Sequence, residues 1–144
     1  MVIAADTSGL FSLYANDVHT SRILAWLSSQ RQPLVVTSLN QFELFNALQF
    51  AEFRGAIAPG EAAAFWAEFE ADQAAGRVVL QTCNLATVVD EAMRLSAAHT
   101  RTGGHRSFDI LHVAAALTID AKQFLTFDQN QRRLAEAEGL SVPC

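Results

Sequence analysis

Four acidic residues stand where a parallel α/β fold would gather them. Asp6 directly follows the first apolar run, Val2-Ile3-Ala4-Ala5. Glu43 lies one turn into the helix expected after the second run, Leu34-Val35-Val36. Asp109 opens an almost wholly apolar stretch that reaches Leu117, and Asp128 directly follows Gln123-Phe124-Leu125-Thr126-Phe127. In a parallel sheet with crossover helices, strand C-termini and helix N-termini share one edge, and ligands bind there. Carboxylates ~4 Å apart repel by about 4 kcal/mol at an effective dielectric near 20. A divalent cation removes that penalty, and an all-oxygen donor set selects magnesium or manganese over zinc.

Each acid also has a structural alternative. Asp6 is placed to cap a helix starting near Ser8. Asp109 falls in a first turn, where the helix dipole favours an acid, with Ser107 as the expected cap. If Asn40 caps its helix, Glu43 is the return partner of a capping box. Ser38 with Gln41 makes an equally good box and leaves Glu43 free. No cation stands among the helical neighbours of Glu43, which are Leu39, Asn40, Asn46 and Ala47. Asp128-Gln129-Asn130-Gln131 is a cap-and-return pattern of its own, with Arg132 one turn on as an ion partner. His112 shares the helix face of Asp109, either as a hydrogen-bonded helix residue or as a contact behind the acids or to a phosphate.

The elements that must position these residues follow from periodicity. Apolar, β-branched runs alternate with helical patterns, which predicts βαβ units and a parallel sheet. Strands are expected near 2–5, 33–37, 77–81, 122–127 and 140–142. The clearest helix spans 84–98, with Leu85, Val88, Val89, Ala92 and Met93 on one face. Asp90 and Arg94 are an expected i,i+4 pair on its outer side. Residues 39–53 and 59–75 read as two helices joined through Gly55 to Gly60. This hairpin carries Phe42, Phe45, Phe50, Phe53, Phe65, Trp66 and Phe69. Two short helices share too little interior for so many rings, so some are expected on a partner or dimer surface.

The 144 residues fit one domain, 1–144, and 51% hydrophobic content is ample for its core. Cys83 and Cys144 form neither a Cys-x-x-Cys pair nor a zinc spacing, and read as free thiols of a reducing cytoplasm. No basic leader and no bilayer-spanning apolar stretch is visible. Net charge is −5 and Lys122 is the one lysine, which argues against non-specific coating of nucleic acid and suits a basic partner. The segment from His99 to Arg106 is the one positive cluster leading into the acids. Arg101 and Arg106 are therefore candidates for substrate phosphates, with an ordinary solvated loop as the alternative.

The segments Ala4-Ala5-Asp6-Thr7-Ser8, Gln41-Phe42-Glu43-Leu44, Ser107-Phe108-Asp109-Ile110-Leu111-His112-Val113-Ala114-Ala115-Ala116 and Leu125-Thr126-Phe127-Asp128-Gln129-Asn130-Gln131 resemble the acidic motifs of PIN-domain nucleases. Chain size and the closing Leu134-Ala135-Glu136-Ala137-Glu138-Gly139-Leu140 are similar to VapC toxins of type II toxin–antitoxin pairs. The resemblance implies a three-layer α/β/α fold with a five-stranded parallel sheet. It implies an Mg2+- or Mn2+-dependent endoribonuclease that hydrolyses RNA phosphodiester bonds with metal-activated water. Asp6, Glu43 and Asp109 match the core metal ligands, and Asp128 a fourth acid. Thr7, Ser107 and Thr126 match polar neighbours that orient ligands or waters. A homodimer is implied, with a cognate antitoxin docking across the 39–75 hairpin. His112 departs from the plainer aliphatic residue common at its place. A PIN nuclease of RNA processing or decay without an antitoxin, and an inactive PIN module binding RNA or protein, are the alternatives.

Other acid-edge folds lack their signatures. A receiver domain needs a lysine after its last core strand, whereas Lys122 precedes one. A haloacid-dehalogenase phosphatase needs Asp-x-Asp, and Ser8 stands at the third place. There is no Gly-x-Gly-x-x-Gly, Walker loop or Gly-x-Ser-x-Gly elbow.

Overall fold

A computed structural model describes all 144 residues. In chain order the elements are β1 (Val2–Ala5), α1 (Thr7–Ala15), α2 (Thr20–Ser28), β2 (Leu34–Val36), α3 (Ser38–Phe53), α4 (Glu61–Ala74), β3 (Val78–Leu80), α5 (Leu85–Gly103), α6 (Ser107–Thr118), β4 (Ala121–Leu125) and α7 (Gln129–Ala137). The four strands are parallel in the order β3-β2-β1-β4. The chain steps outward from β1 to β3, then crosses through α5 and α6 to β4 on the other side of β1. The order therefore reverses between β1 and β4, the kind of crevice where open α/β sheets bind ligands.

Strand alternation assigns the two faces. Ile3, Ala5, Leu34, Val36 and Leu125 pack with Leu10, Tyr14, Ile23, Leu44, Leu48 and Phe69 of α1 to α4. Ala4, Val35 and Phe124 pack with Val88, Leu95, Val113, Ala114 and Leu134 of α5 to α7. Helices thus cover both faces, which is why the central strands β1 and β2 are continuous hydrophobic runs. The architecture is the expected three-layer α/β/α fold. No helix is long and apolar enough to cross a membrane.

Several expectations need correction. The sheet has four strands, not five. The segment near 140–142 makes a single bridge, with Phe124 N–H donating to the Ser141 carbonyl at 2.8 Å and Ser141 N–H to the Lys122 carbonyl at 3.0 Å. Pro143 has no N–H to extend that ladder. Helix α2 has no counterpart among the expected elements. The cap of α3 is Thr37, whose N–H donates to Asn40 Oδ1 at 3.0 Å in a capping box, so neither expected box forms and Glu43 is free of capping. Arg106, not Ser107, precedes the first residue of α6. On α5, Arg94 turns from Asp90 to Glu91 and to Glu138, each at 2.6 Å, because Glu138 at the end of α7 faces it. The inner face of α5 is Val88, Ala92 and Leu95, while Leu85, Val89 and Met93 form an exposed stripe. Helix α5 also runs on to Gly103 before Gly104 ends it at φ 66°, so most of the expected 99–106 loop is helical.

Helix α1 lies unusually close to β4. A Cβ on Gly9 would stand 2.8 Å from the Leu125 carbonyl oxygen, a backbone atom that cannot rotate away. Gly9→Ala gains about 1 kcal/mol of helix propensity but overpacks at a cost of about 1–3 kcal/mol. The expected result in urea denaturation is a net loss of stability, despite the better helix former; a gain would show that α1 can lift from β4 freely.

Candidate active site

Asp6 is the first residue past β1, and its backbone N–H donates to the Leu125 carbonyl of β4 at 3.0 Å. The side chain is 2% exposed. Oδ1 accepts from Ser8 Oγ at 2.7 Å and from Gly9 N–H at 2.9 Å, so Asp6 also caps α1. Oδ2 accepts from Thr126 Oγ1 at 2.6 Å. Burial pushes the carboxyl up to about 6, and the hydrogen bonds from Thr126, Gly9 and Ser8 only partly offset it. Three of about four acceptor positions are used, so one stays open.

Glu43 projects from the second turn of α3 with its side chain 28% exposed. Its Oε2 lies 3.1 Å from Nε2 of His112, whose side chain is 1% exposed within α6. Thr7 Oγ1 lies 3.4 Å from the same nitrogen. Burial raises the Glu43 carboxyl, but the hydrogen bonds from His112 and Thr7 outweigh it and hold it below the usual range. His112 Nδ1 in turn lies 3.1 Å from Asn40 Nδ2.

Asp109 lies in the first turn of α6 with its side chain 22% exposed. Its carboxyl is raised, first by burial and further by the charges of Asp128 and Glu43, against the opposing pull of Arg106. Arg106 Nε stands 3.6 Å from Asp109 Oδ2, so this arginine, exposed to solvent, pairs with an acid of the cluster. Arg101 sits in the last turn of α5, where the helix dipole favours a cation. Asp128 caps α7, its Oδ1 accepting from Gln131 N–H at 2.9 Å, and its own N–H donates to Thr126 Oγ1 at 3.1 Å. Thr126 therefore joins two of the acids. Arg132 is not the partner of Asp128; it pairs with Glu136 at 3.4 Å and reaches the Cys144 carbonyl. Ser107 opens α6 without a side-chain capping bond.

The four acids share one edge, and the charges of Asp128 and Glu43 both act on Asp109. As positioned, no three His, Cys, Asp or Glu side chains are close enough to grip one ion. Their chemistry nevertheless fits a hard dication: oxygen donors, partial burial, and Arg106 as the one cation paired among them. Glu43 and Asp109 keep part of their side chains exposed, at 28% and 22%. Three supporting residues escaped the sequence reading. Ser8 donates to Asp6 and accepts from Phe127 N–H at 3.0 Å. Asn40 joins Glu43's partner to β1. The buried Gln131 donates to the Asp109 carbonyl at 2.9 Å. Of these, Asn40 had a visible signal, three residues after a threonine at a helix start.

The PIN-domain family model matches residues 3–137, and the chain belongs to that family. PIN domains are nucleases as a class and typically use divalent metal ions. No curated protein sequence matches the chain. Among solved structures, it is similar to a chain of VapBC2 from Rickettsia felis, crystallised with a DNA fragment from the pair's promoter. The TM-score is 0.67 at 12% identity, covering 99% of this chain and 98% of that one. It is also similar to a chain of FitAcB from Neisseria gonorrhoeae, with TM-score 0.67 and 16% identity over 98% and 96% of the two chains. Identities this low speak for the fold.

Burial of Asp6 has a consequence in the metal-free protein. Its folded pKa lies above the unfolded value, so its stabilising contribution is complete below about pH 4 and is lost as pH rises through about 6. Asp6→Asn keeps an acceptor for Gly9 and a donor for Thr126 without the charge. In a chelator, the melting temperature of this variant should gain on the parent between about pH 4 and 6 and then hold a constant lead. A lead that shrinks over that range would mean the carboxylate is comfortable in its site.

Proposed function

We propose that residues 1–144 form one nuclease domain, an Mg2+- or Mn2+-dependent endoribonuclease acting as the toxin of a type II toxin–antitoxin pair. The observation that carries this reading is the convergence of Asp6, Glu43, Asp109 and Asp128 at the switch-point edge of a PIN-family chain. These four side chains would hold the ion. A dication held there would supply activation of water and an offset to charge on the phosphate. Thr126 and Ser8 fix the Asp6 carboxylate, and Thr7 and His112 fix Glu43. Ser107 and Thr126 flank the acids. Arg106, released from Asp109 when a cation takes that carboxylate, can meet a substrate phosphate, with Arg101 behind it. Such a division of labour suits an acidic protein, whose few cations would be spent where the chain is cut.

Surface features support the partners. Phe50 and Phe53 of the 39–75 hairpin are exposed, and the Arg54 guanidinium lies 5.1 Å from the Phe50 ring centre. A groove of about 460 Å³ runs from Phe50 and Arg54 past Phe11 and Phe127 to Thr7 and Asp128. An antitoxin segment docked on the hairpin and laid in this groove would reach the acids. The stripe of Leu85, Val89 and Met93, with exposed Val79 and Leu80 on edge strand β3, suits a homodimer. A cytoplasmic location, with no membrane role, accords with the free thiols Cys83 and Cys144.

The wild-type protein should cleave transfer or ribosomal RNA with Mg2+ and not with chelator. Asp6→Asn and Asp109→Asn should fold yet lose at least about 100-fold in rate, about 2.7 kcal/mol of barrier. Full activity in both variants would remove the acids from the mechanism. Met93→Asp should convert a dimer to a monomer in size-exclusion chromatography with light scattering; an unchanged mass would place the interface elsewhere.

A further inference from the structure

His112 is a polar ring inside a helix whose neighbours Ile110, Val113, Ala114, Ala115 and Ala116 are all buried. A buried imidazole is costly unless both nitrogens are satisfied. Here they are, and the partners dictate which nitrogen carries the proton. Asn40 Oδ1 accepts from Thr37 N–H at 3.0 Å, and Asn40 Nδ2 donates to the Ala5 carbonyl at 2.9 Å. Flipping the amide would set two donors against each other at Thr37 and two acceptors at Ala5. The amide orientation is therefore fixed by the backbone.

The second Nδ2 proton of Asn40 points at His112 Nδ1, 3.1 Å away. Nδ1 must then be the acceptor, and the ring proton must sit on Nε2. Nε2–H is left to donate to Glu43 Oε2 at 3.1 Å, leaving Oε1 clear of the ring. We propose that His112 is a positioning residue for Glu43, held by Asn40 as the Nε2–H tautomer so that the carboxylate faces the other acids. The relay joins the backbone end of β1, helix α3 and helix α6, the elements that bear Asp6, Glu43 and Asp109. Without it Glu43, which has no cation beside it, can turn to solvent. The inference rests on the reading of Glu43 as a metal ligand; residues behind a ligand typically change metal affinity by about 10–100-fold.

The test uses Mn2+ alone as the probe, titrated calorimetrically into the full chain. His112→Leu fills the site with an aliphatic side chain and removes the donor; its Mn2+ affinity should fall about 10–100-fold. His112→Gln places an amide N–H near the lost Nε2–H and should restore most of that affinity. A leucine variant that binds as the parent does, or a glutamine variant as weak as leucine, overturns the proposal. A second measurement needs no metal and no variant. Imidazole 15N shifts of the parent in chelator, at about pH 7, should show Nδ1 bare and Nε2 protonated. The opposite tautomer overturns the proposal outright. Failure of the parent to bind Mn2+ would instead sink the ligand reading of Glu43, and the ring signature would still decide whether His112 holds that carboxylate.

Discussion

The 2.6 Å hydrogen bond from Thr126 to Asp6 crosses the seam between β1 and β4, and the arrangement of the molecule at that edge depends on it. A carboxylate this buried is tolerable because donors surround it. Those donors come from the helix that follows β1 and from the residue that follows β4. The same threonine oxygen receives the backbone N–H of Asp128. One hydroxyl thereby ties together Asp6 and Asp128, the first and last of the four clustered acids. Gly9 belongs to the same constraint, since only a residue without Cβ lets α1 approach the end of β4 closely enough for Ser8 to accept from Phe127 N–H.

Around this fixed point the other acids differ in character. Asp6 and Asp109 are pushed toward the protonated state chiefly by burial, whereas hydrogen bonds hold Glu43 toward the ionised state. An incoming dication would meet one rigid carboxylate, one steered carboxylate and one paired with an exposed arginine. Its binding would be coupled to proton release, because ligands must shed their protons first. The arrangement separates the two problems of such a cluster. Fixed hydrogen bonds preserve the position of Asp6 and steer Glu43, while Asp109 has the exposed Arg106 as its partner.

Much of the fold was legible because both faces of the sheet are covered. Strands buried on two sides are short unbroken apolar runs, and Val2–Ala5 and Leu34–Val36 stand out as such; Val78–Leu80 shares that composition although Val79 and Leu80 are exposed at the sheet edge. The family motifs likewise pointed to the four acids, and the sheet order explains why they lie along one edge. What the sequence concealed were choices among equivalent local partners. Thr37, Ser38 and Asn40 can all begin α3, and the winner is decided by Asn40 reaching the Ala5 carbonyl, a contact between distant segments. Arg94 has suitable acids on its own helix, but Glu138 becomes available only once α7 packs beside α5. The stripe of α5 misled for a related reason. Leu85, Val89 and Met93 obey helical periodicity, yet periodicity cannot say which of two adjoining apolar stripes faces inward. Segment 140–142 has strand composition, and Pro143 limits it to one bridge.

That single bridge makes the two margins of the sheet unequal. On the β4 side the last segment is short and proline-ended, so it offers almost no ladder for another backbone to extend. On the β3 side an open strand exposes Val79 and Leu80. Edge-to-edge growth into a fibre requires two receptive margins, and this sheet has one. Lateral association through the backbone can therefore join two copies about a twofold axis and then stops, which lets the chain expose an apolar flank without polymerising.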